Sequence, residues 1–154
     1  MSDGEGMSLV VKNVACVLLV PIMVFGLYVI LHGHLTPGGG FPGGAVMATL
    51  VALLLVAFGT RALKLALKKS FFSTVEAVGL VFFLLLAFFG LGRSFFNNFL
   101  ANSGGLFGLP VAFGSNSGFL MTAGVIPLMN IAVGIEVFAA LSLIMLMVFW
   151  GGDE

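Results

Sequence analysis

Four long apolar runs dominate this chain: Leu9 to Leu31, Ala45 to Ala62, Val75 to Leu91 and Ile126 to Trp150. A helix needs about 20 mostly apolar residues to cross the hydrocarbon core of a bilayer. Inside that core every backbone polar group must be bonded within its own segment, so each run reads as a helix. The sequence therefore predicts an all-α integral membrane protein with four transmembrane helices, one membrane domain over its 154 residues. Composition supplies the exclusions. Charged residues make up 8% of the chain, where a soluble domain carries roughly a quarter. Six basic and six acidic side chains cannot coat a water-facing globule, which excludes a soluble enzyme, a nucleic-acid binder and a disordered tail. The net charge is zero, so nothing draws the chain to a polyanion. A single cysteine, Cys16, forms no intrachain disulfide, and His32 and His34 are too few to complete a zinc site. No catalytic residue, metal site or cofactor is expected in this chain.

Details of the runs refine the picture. Lys12 can snorkel from the first span to the interface. Pro21 should kink that span without ending it. Asp3 and Glu5 in the leader, with the length of the run behind them, argue for a retained span and against a cleaved signal peptide. After the second span, Leu63, Leu65, Ala66 and Leu67 alternate with Lys64 and Lys68, as though the helix ran on as a short amphipathic turn. Ser73 followed by Glu76 reads as a capping box opening the third span, with Phe72 and Ala77 as a weak staple. Pro127 and Asn130 break the long stretch from Phe119 to Trp150. Phe119 to Val125 is then an interfacial or re-entrant piece. The phenylalanines of Phe82–Phe99 read as packing surface, with no haem or quinone signal.

Orientation follows from the basic residues. Arg61, Lys64, Lys68 and Lys69 lie between the second and third spans, and Lys12 opens the first. Only Arg93 lies between the third and fourth. The positive-inside rule then puts both N and C termini in the cytoplasm of a multi-pass cell-membrane protein. The loops at His32–Gly44 and Arg93–Gly118 face outside.

The segment between the first two spans is the most distinctive. Gly38, Gly39, Gly40, Gly43 and Gly44 are five glycines in seven residues, preceded by Pro37. Gly38, Gly40 and Gly43 match the dinucleotide fingerprint formally. They follow a membrane helix instead of a strand, and the next acid is Glu76, so the match is false. Two physical readings stay open. The glycines can form a tight, close-packed turn, as small residues do between membrane helices. They can instead expose backbone carbonyls along an ion path, which irregular backbone does only inside protein or beside water.

The run Gly33-His34-Leu35-Thr36-Pro37-Gly38-Gly39-Gly40-Phe41-Pro42-Gly43-Gly44, placed between the first two of four spans, resembles the signature of the MnhB/MrpB family. Those are small membrane subunits of multisubunit sodium/proton antiporters. Equivalent subunits occur in archaeal membrane-bound hydrogenase and sulfane-sulfur reductase complexes. The stretch from Thr122 to Gly134 is similar to the family's last span. The resemblance implies a non-catalytic subunit helping to form a Na+ or H+ path. Its implied partners are other membrane subunits of an Mrp-type module, either stand-alone or with hydrogenase or sulfur reductase subunits. The alternative is a purely structural scaffold of such a redox complex, carrying no ion. A stand-alone small channel is a third, weaker reading, because four helices give little pore.

The candidates for an ion path are Glu136, Glu76, Asn130 and His34. A charged carboxylate near the middle of the fourth span costs a few kcal/mol or more. Glu136 must therefore be neutral, paired or facing water. Ala132, Val133, Ala139 and Ala140 on its face invite close helix packing. It carries a proton or sodium, or it is a protonated structural contact. Glu76 caps the third span or stands at a cytoplasmic ion entrance. Asn130 hydrogen-bonds the backbone freed by Pro127 or offers an oxygen to sodium. His32 and His34 gate an outer proton exit or simply bond to the loop. Lys64 and Lys68 read as headgroup-binding snorkelers, and Cys16 as a small packing residue.

Overall fold

A computed structural model describes residues 6–64, 66–92, 94–111 and 118–151. Asp3, Glu5, Leu65 and Arg93, used in the charge and amphipathicity arguments, lie outside the described residues. The helices are α1 (Leu9–Leu31), α2 (Gly40–Phe58), the short α3 (Thr60–Lys64), α4 (Lys69–Phe89) and α5 (Ile126–Gly151). Four of them, all but α3, are long and apolar enough to cross a membrane. No strand is found among the described residues. The all-α, four-span architecture expected from the apolar runs is what the chain adopts.

The ends of the helices differ from expectation in instructive ways. α2 begins at Gly40, not Ala45, so three of the five motif glycines are helical. Pro42 is accommodated because it sits in the first turn, where its missing N–H has no helical partner to lose. α2 stops at Phe58, short of Ala62. Gly59, at φ 81° and ψ 160°, holds a backbone that favours glycine and turns the chain out of the helix, and α3 follows as a separate turn. The second helix therefore does not run on into the lysine-rich segment. α4 begins at Lys69, ahead of Val75, with Lys68 extended before it. Ser73 and Glu76 lie inside the helix, so they are not a capping box. Phe72, expected in a staple, is buried in the core. α1 runs unbroken through Pro21. α5 takes Pro127 into its first turn, as α2 does Pro42.

α5 is the central element, packing along both α2 and α4, while α1 packs chiefly on α2. Contacts between Gly26 and Gly43 make α1 and α2 antiparallel neighbours. Gly40 lies at Asn130 and Val133, and Gly44 at Gly134 and Val137, so α2 and α5 run parallel. One end of the bundle thus gathers the end of α1 and the starts of α2 and α5. The opposite end gathers Lys12, the end of α2, α3, the start of α4 and Trp150.

Small residues set the spacing of these seams. A Cβ on Gly44 would fall 2.7 Å from the Gly134 carbonyl oxygen and 3.0 Å from Val137 Cβ. A Cβ on Gly43 would fall 2.8 Å from the Gly26 carbonyl oxygen. Such close backbone approach is how helices associate where lipid is as apolar as leucine. Between α2, α4 and α5 lies a core of Val51, Leu55, Phe72, Ala139 and Leu146. Ala132, Ala139 and Leu146 are fully buried at seven-residue spacing, one stripe of α5. The outer faces are apolar instead: Leu9 is 74% exposed, Phe89 70% and Val148 70%. Such surface is stable only against lipid or other membrane helices.

Candidate functional site

Glu136 sits on α5 at a close approach to α4. Gly79 of α4 lies opposite it, and a Cβ on Gly79 would fall 2.9 Å from both Glu136 Cβ and Glu136 N. The missing side chain of Gly79 is what admits the Glu136 backbone to the seam. The side chain is half-buried, and among the described residues no ion pair or hydrogen bond holds its carboxyl. α4 presents Phe72, Gly79 and Leu86 to α5 at seven-residue spacing. Glu76 is on that stripe, one turn after Phe72, and is also half-buried. Both intramembrane acids therefore belong to one seam, with Glu76 nearer the lysine-rich end.

Asn130 and the histidines belong to the other end. Gly33 and Gly39 close the turn between α1 and α2 so tightly that a Cβ on Gly33 would meet the Gly39 Cα. The same Cβ would fall 2.7 Å from Asn130 Nδ2. Asn130 thus lies directly against the glycine turn. Gly39, at φ 134°, holds a conformation that only glycine adopts readily. The Gly39 N–H donates to Val29 O at 3.2 Å, and the Gly43 N–H to Gly39 O at 3.2 Å, so the motif is a bonded turn. This arrangement supports the close-packed reading of the glycines. His32 stacks on Tyr28 with ring centroids 4.2 Å apart. Burial lowers the His34 pKa below the usual histidine value, and the charge of His32 adds to that. The backbone of Leu120 and of Leu31 acts in the opposite direction. Neither reaches hydrogen-bond geometry with the ring. The structure does not bring the four candidates together: Glu136 and Glu76 share one seam, and Asn130 and His34 share one end.

Sequence reasoning missed Asn98. Its Nδ2 donates to Ala123 O at 2.9 Å, and its Oδ1 accepts from the Val125 N–H at 2.8 Å. That side chain ties the loop after α4 to the start of α5. Phe119–Val125, expected as an interfacial or re-entrant piece, is a chain of tight turns on this tie, with Ala123 at φ 72° and Gly124 at φ 64°. Among the described residues no group of three or more His, Cys, Asp or Glu is placed to hold a metal.

The fold and seams define a multi-pass helical membrane protein built for close packing, with two acids inside it. A family model described as a domain related to the MnhB subunit of Na+/H+ antiporter matches residues 10–143, and the chain belongs to that family. It is 31% identical over 112 residues to the corresponding Na(+)/H(+) antiporter subunit of Bacillus subtilis, covering 72% of this chain and 76% of that protein. It is 37% identical over 136 residues to the protein MJ1307 of Methanocaldococcus jannaschii, covering 86% of this chain and 49% of that one. A chain in the structure of the membrane-bound sulfane sulfur reductase (MBS), an archaeal respiratory membrane complex, superposes with a TM-score of 0.72 at 30% identity. That match covers 97% of this chain and 63% of the other. The chain therefore spans about half the length of MJ1307 and less than two thirds of the solved chain.

Proposed function

We propose that this chain is a non-catalytic membrane subunit of a multisubunit cation/proton antiporter module. On this reading it packs beside other membrane subunits and helps form a path for Na+ or H+, within a stand-alone exchanger or a hydrogenase or sulfur reductase complex. The observation that carries it is Glu136, fixed on the α4–α5 seam against Gly79 with no ion-pair partner among the described residues. Such a carboxyl in a membrane is stable protonated, or charged where water or a partner subunit reaches it. A group able to exist in both states is what proton or sodium transfer requires. Glu76 on the same stripe is the entrance at the lysine-rich, cytoplasmic end. Asn130 and His34 belong to the outer end.

The test is Glu136→Gln in the assembled complex, with sodium-driven proton movement measured in membrane vesicles. Sharply reduced exchange from a complex that still purifies with its partners supports the path. The glycine seams favour a second reading, a scaffold that carries no ion. Unchanged exchange, or loss of assembly instead of transport, supports the scaffold.

A further inference from the structure

The connection from the end of α4 at Phe89 to the start of α5 at Ile126 is long for a compact fold. Loops beyond about 12–15 residues are uncommon and usually functional. Its chemistry is not that of a water-facing loop. From Ser94 to Ile135 the sequence contains no Asp, Glu, Lys, Arg or His, where roughly a quarter of a soluble domain is charged. The described part exposes large apolar side chains instead. Phe95 is 50% exposed and Phe96 44%, and Phe99 and Leu106 are exposed as well.

Ring contacts fix the level of these side chains. Beyond Gly90 the chain turns back on α4. The Phe95 ring packs on Phe88 with centroids 5.3 Å apart, and the Phe96 ring on Phe83 at 5.6 Å. Phe83 precedes the end of α4 by more than a turn, about 9 Å deeper at 1.5 Å per residue. The Phe99 ring is back beside Phe89, at 6.2 Å. The backbone stays higher: the Phe96 N–H donates to Ala87 O, in the last turn of α4, at 3.2 Å. The backbone also bonds within itself, with the Asn97 N–H on Ser94 O at 3.1 Å, the Phe99 N–H on Asn97 O at 2.9 Å and the Ala101 N–H on Asn98 O at 3.2 Å. Little hydrogen bonding is therefore lost where water thins out. Phe96 holds φ 61°, a conformation rare for a bulky residue, and its ring still stands half in the open.

Exposed apolar rings mark a membrane or a partner surface. Here they continue the exposed face of Leu85, Phe88 and Phe89 on α4, a membrane-spanning helix at the edge of the bundle. Phenylalanine carries no polar group to pair and is favoured in hydrocarbon. We infer that Phe95, Phe96 and Phe99 form an interfacial anchor whose rings enter the acyl region of the adjoining leaflet, with phospholipid as its partner. The depth is that of interfacial helices, which bury an apolar face about 5–10 Å into the headgroup boundary. The exposed, polar Asn102–Gly105 segment returns to water. Asn98, inside the anchor, bonds Ala123 O and the Val125 N–H. The anchor thus holds the ends of α4 and α5 at one depth, and with them the seam that carries Glu136. This role is independent of whether Glu136 carries an ion.

The experiment places the photoreactive p-benzoylphenylalanine at position 95 or 96 of this chain in the assembled complex, in native membranes. The expected product of irradiation is a phospholipid adduct on the peptide, read by mass spectrometry. A crosslink to another protein overturns the inference, because that partner then covers the rings. Absence of a lipid adduct at both positions overturns it as well. A second readout needs no crosslink. In a Cys16→Ser background, with membranes permeabilised so that both faces are open, a water-soluble thiol reagent should label Gly105→Cys. Phe96→Cys should lose that labelling, although the fold alone leaves the position exposed. Equal labelling of the two puts the rings in water and overturns the inference.

Discussion

Asn98 shows how much one side chain can hold in a membrane protein. It satisfies a carbonyl and an N–H that lie 25 and 27 residues further along the chain. Removing one partner of a bonded pair leaves the other to bear the cost of desolvation, about 1–3 kcal/mol when buried. Asn98→Leu orphans both Ala123 O and the Val125 N–H and should destabilise the protein by roughly that amount. Asn98→Asp keeps the acceptor for Val125 and should lose less. Thermal unfolding of the two variants in mild detergent checks the order. The sequence offered one clue to Asn98, an amide among Phe95, Phe96 and Phe99, but partners so distant leave no local spacing to read. Glu136 and Asn130 were legible for the opposite reason. A polar residue within a long apolar run is costly wherever it points, so its presence alone marks it. Their neighbours, Gly79 and the turn at Gly33 and Gly39, required the fold.

Among the helices, existence was legible and ends were not. The apolar runs fixed which segments cross the membrane, because hydrocarbon leaves the backbone no alternative. Helix starts are decided by packing, which a single sequence does not display. The apolar run puts the start of the second span at Ala45 and leaves Gly40–Gly44 to the turn, and glycine does weaken helices in water. Here those glycines let α2 press on α1 and α5, and the contact outweighs the propensity. The same logic placed the start of α4 at Lys69, where Phe72 reaches the core, and removed the apparent capping box at Ser73. The seam makes a graded prediction. In Gly44→Ala the new Cβ meets the Gly134 carbonyl and Val137, backbone and branched side chain that cannot step aside. Overpacking of that kind costs about 1–3 kcal/mol. In Gly26→Ala the nearest atom is Met47 Cγ, on a side chain that can turn away, and the Gly43 carbonyl oxygen stands further off at 3.2 Å, so the loss should be smaller. Gly92→Ala meets nothing within 4 Å and should be neutral. Melting temperatures of the three in one detergent rank them, and equal losses would mean that the seams do not set helix spacing.

The molecule differs from a soluble protein at its surface, where large apolar side chains are exposed, while small residues set the close helix seams inside. Among the described residues the basic charges are segregated along one axis as well. Lys12, Arg61, Lys64, Lys68 and Lys69 all gather at one end of the bundle. Two of these place an ammonium near an aromatic ring: Lys69 Nζ lies 5.3 Å from the Trp150 ring centroid and Lys12 Nζ 6.0 Å from that of Phe58. Lysine and aromatic side chains at one level mark a membrane interface. Basic residues are retained on the cytoplasmic side, so this end should face inward and the His34–Asn130 end outward. Replacing Cys16, the one cysteine, which is exposed on α1, by serine gives a background for single-cysteine labelling. In that background Ser70→Cys, at the basic end, should react with a membrane-impermeant thiol reagent only after cells are permeabilised. Gly105→Cys, on the exposed loop at the other end, should react in intact cells. The reverse pattern would invert the chain. It would put Glu76 at the outer mouth of the α4–α5 seam.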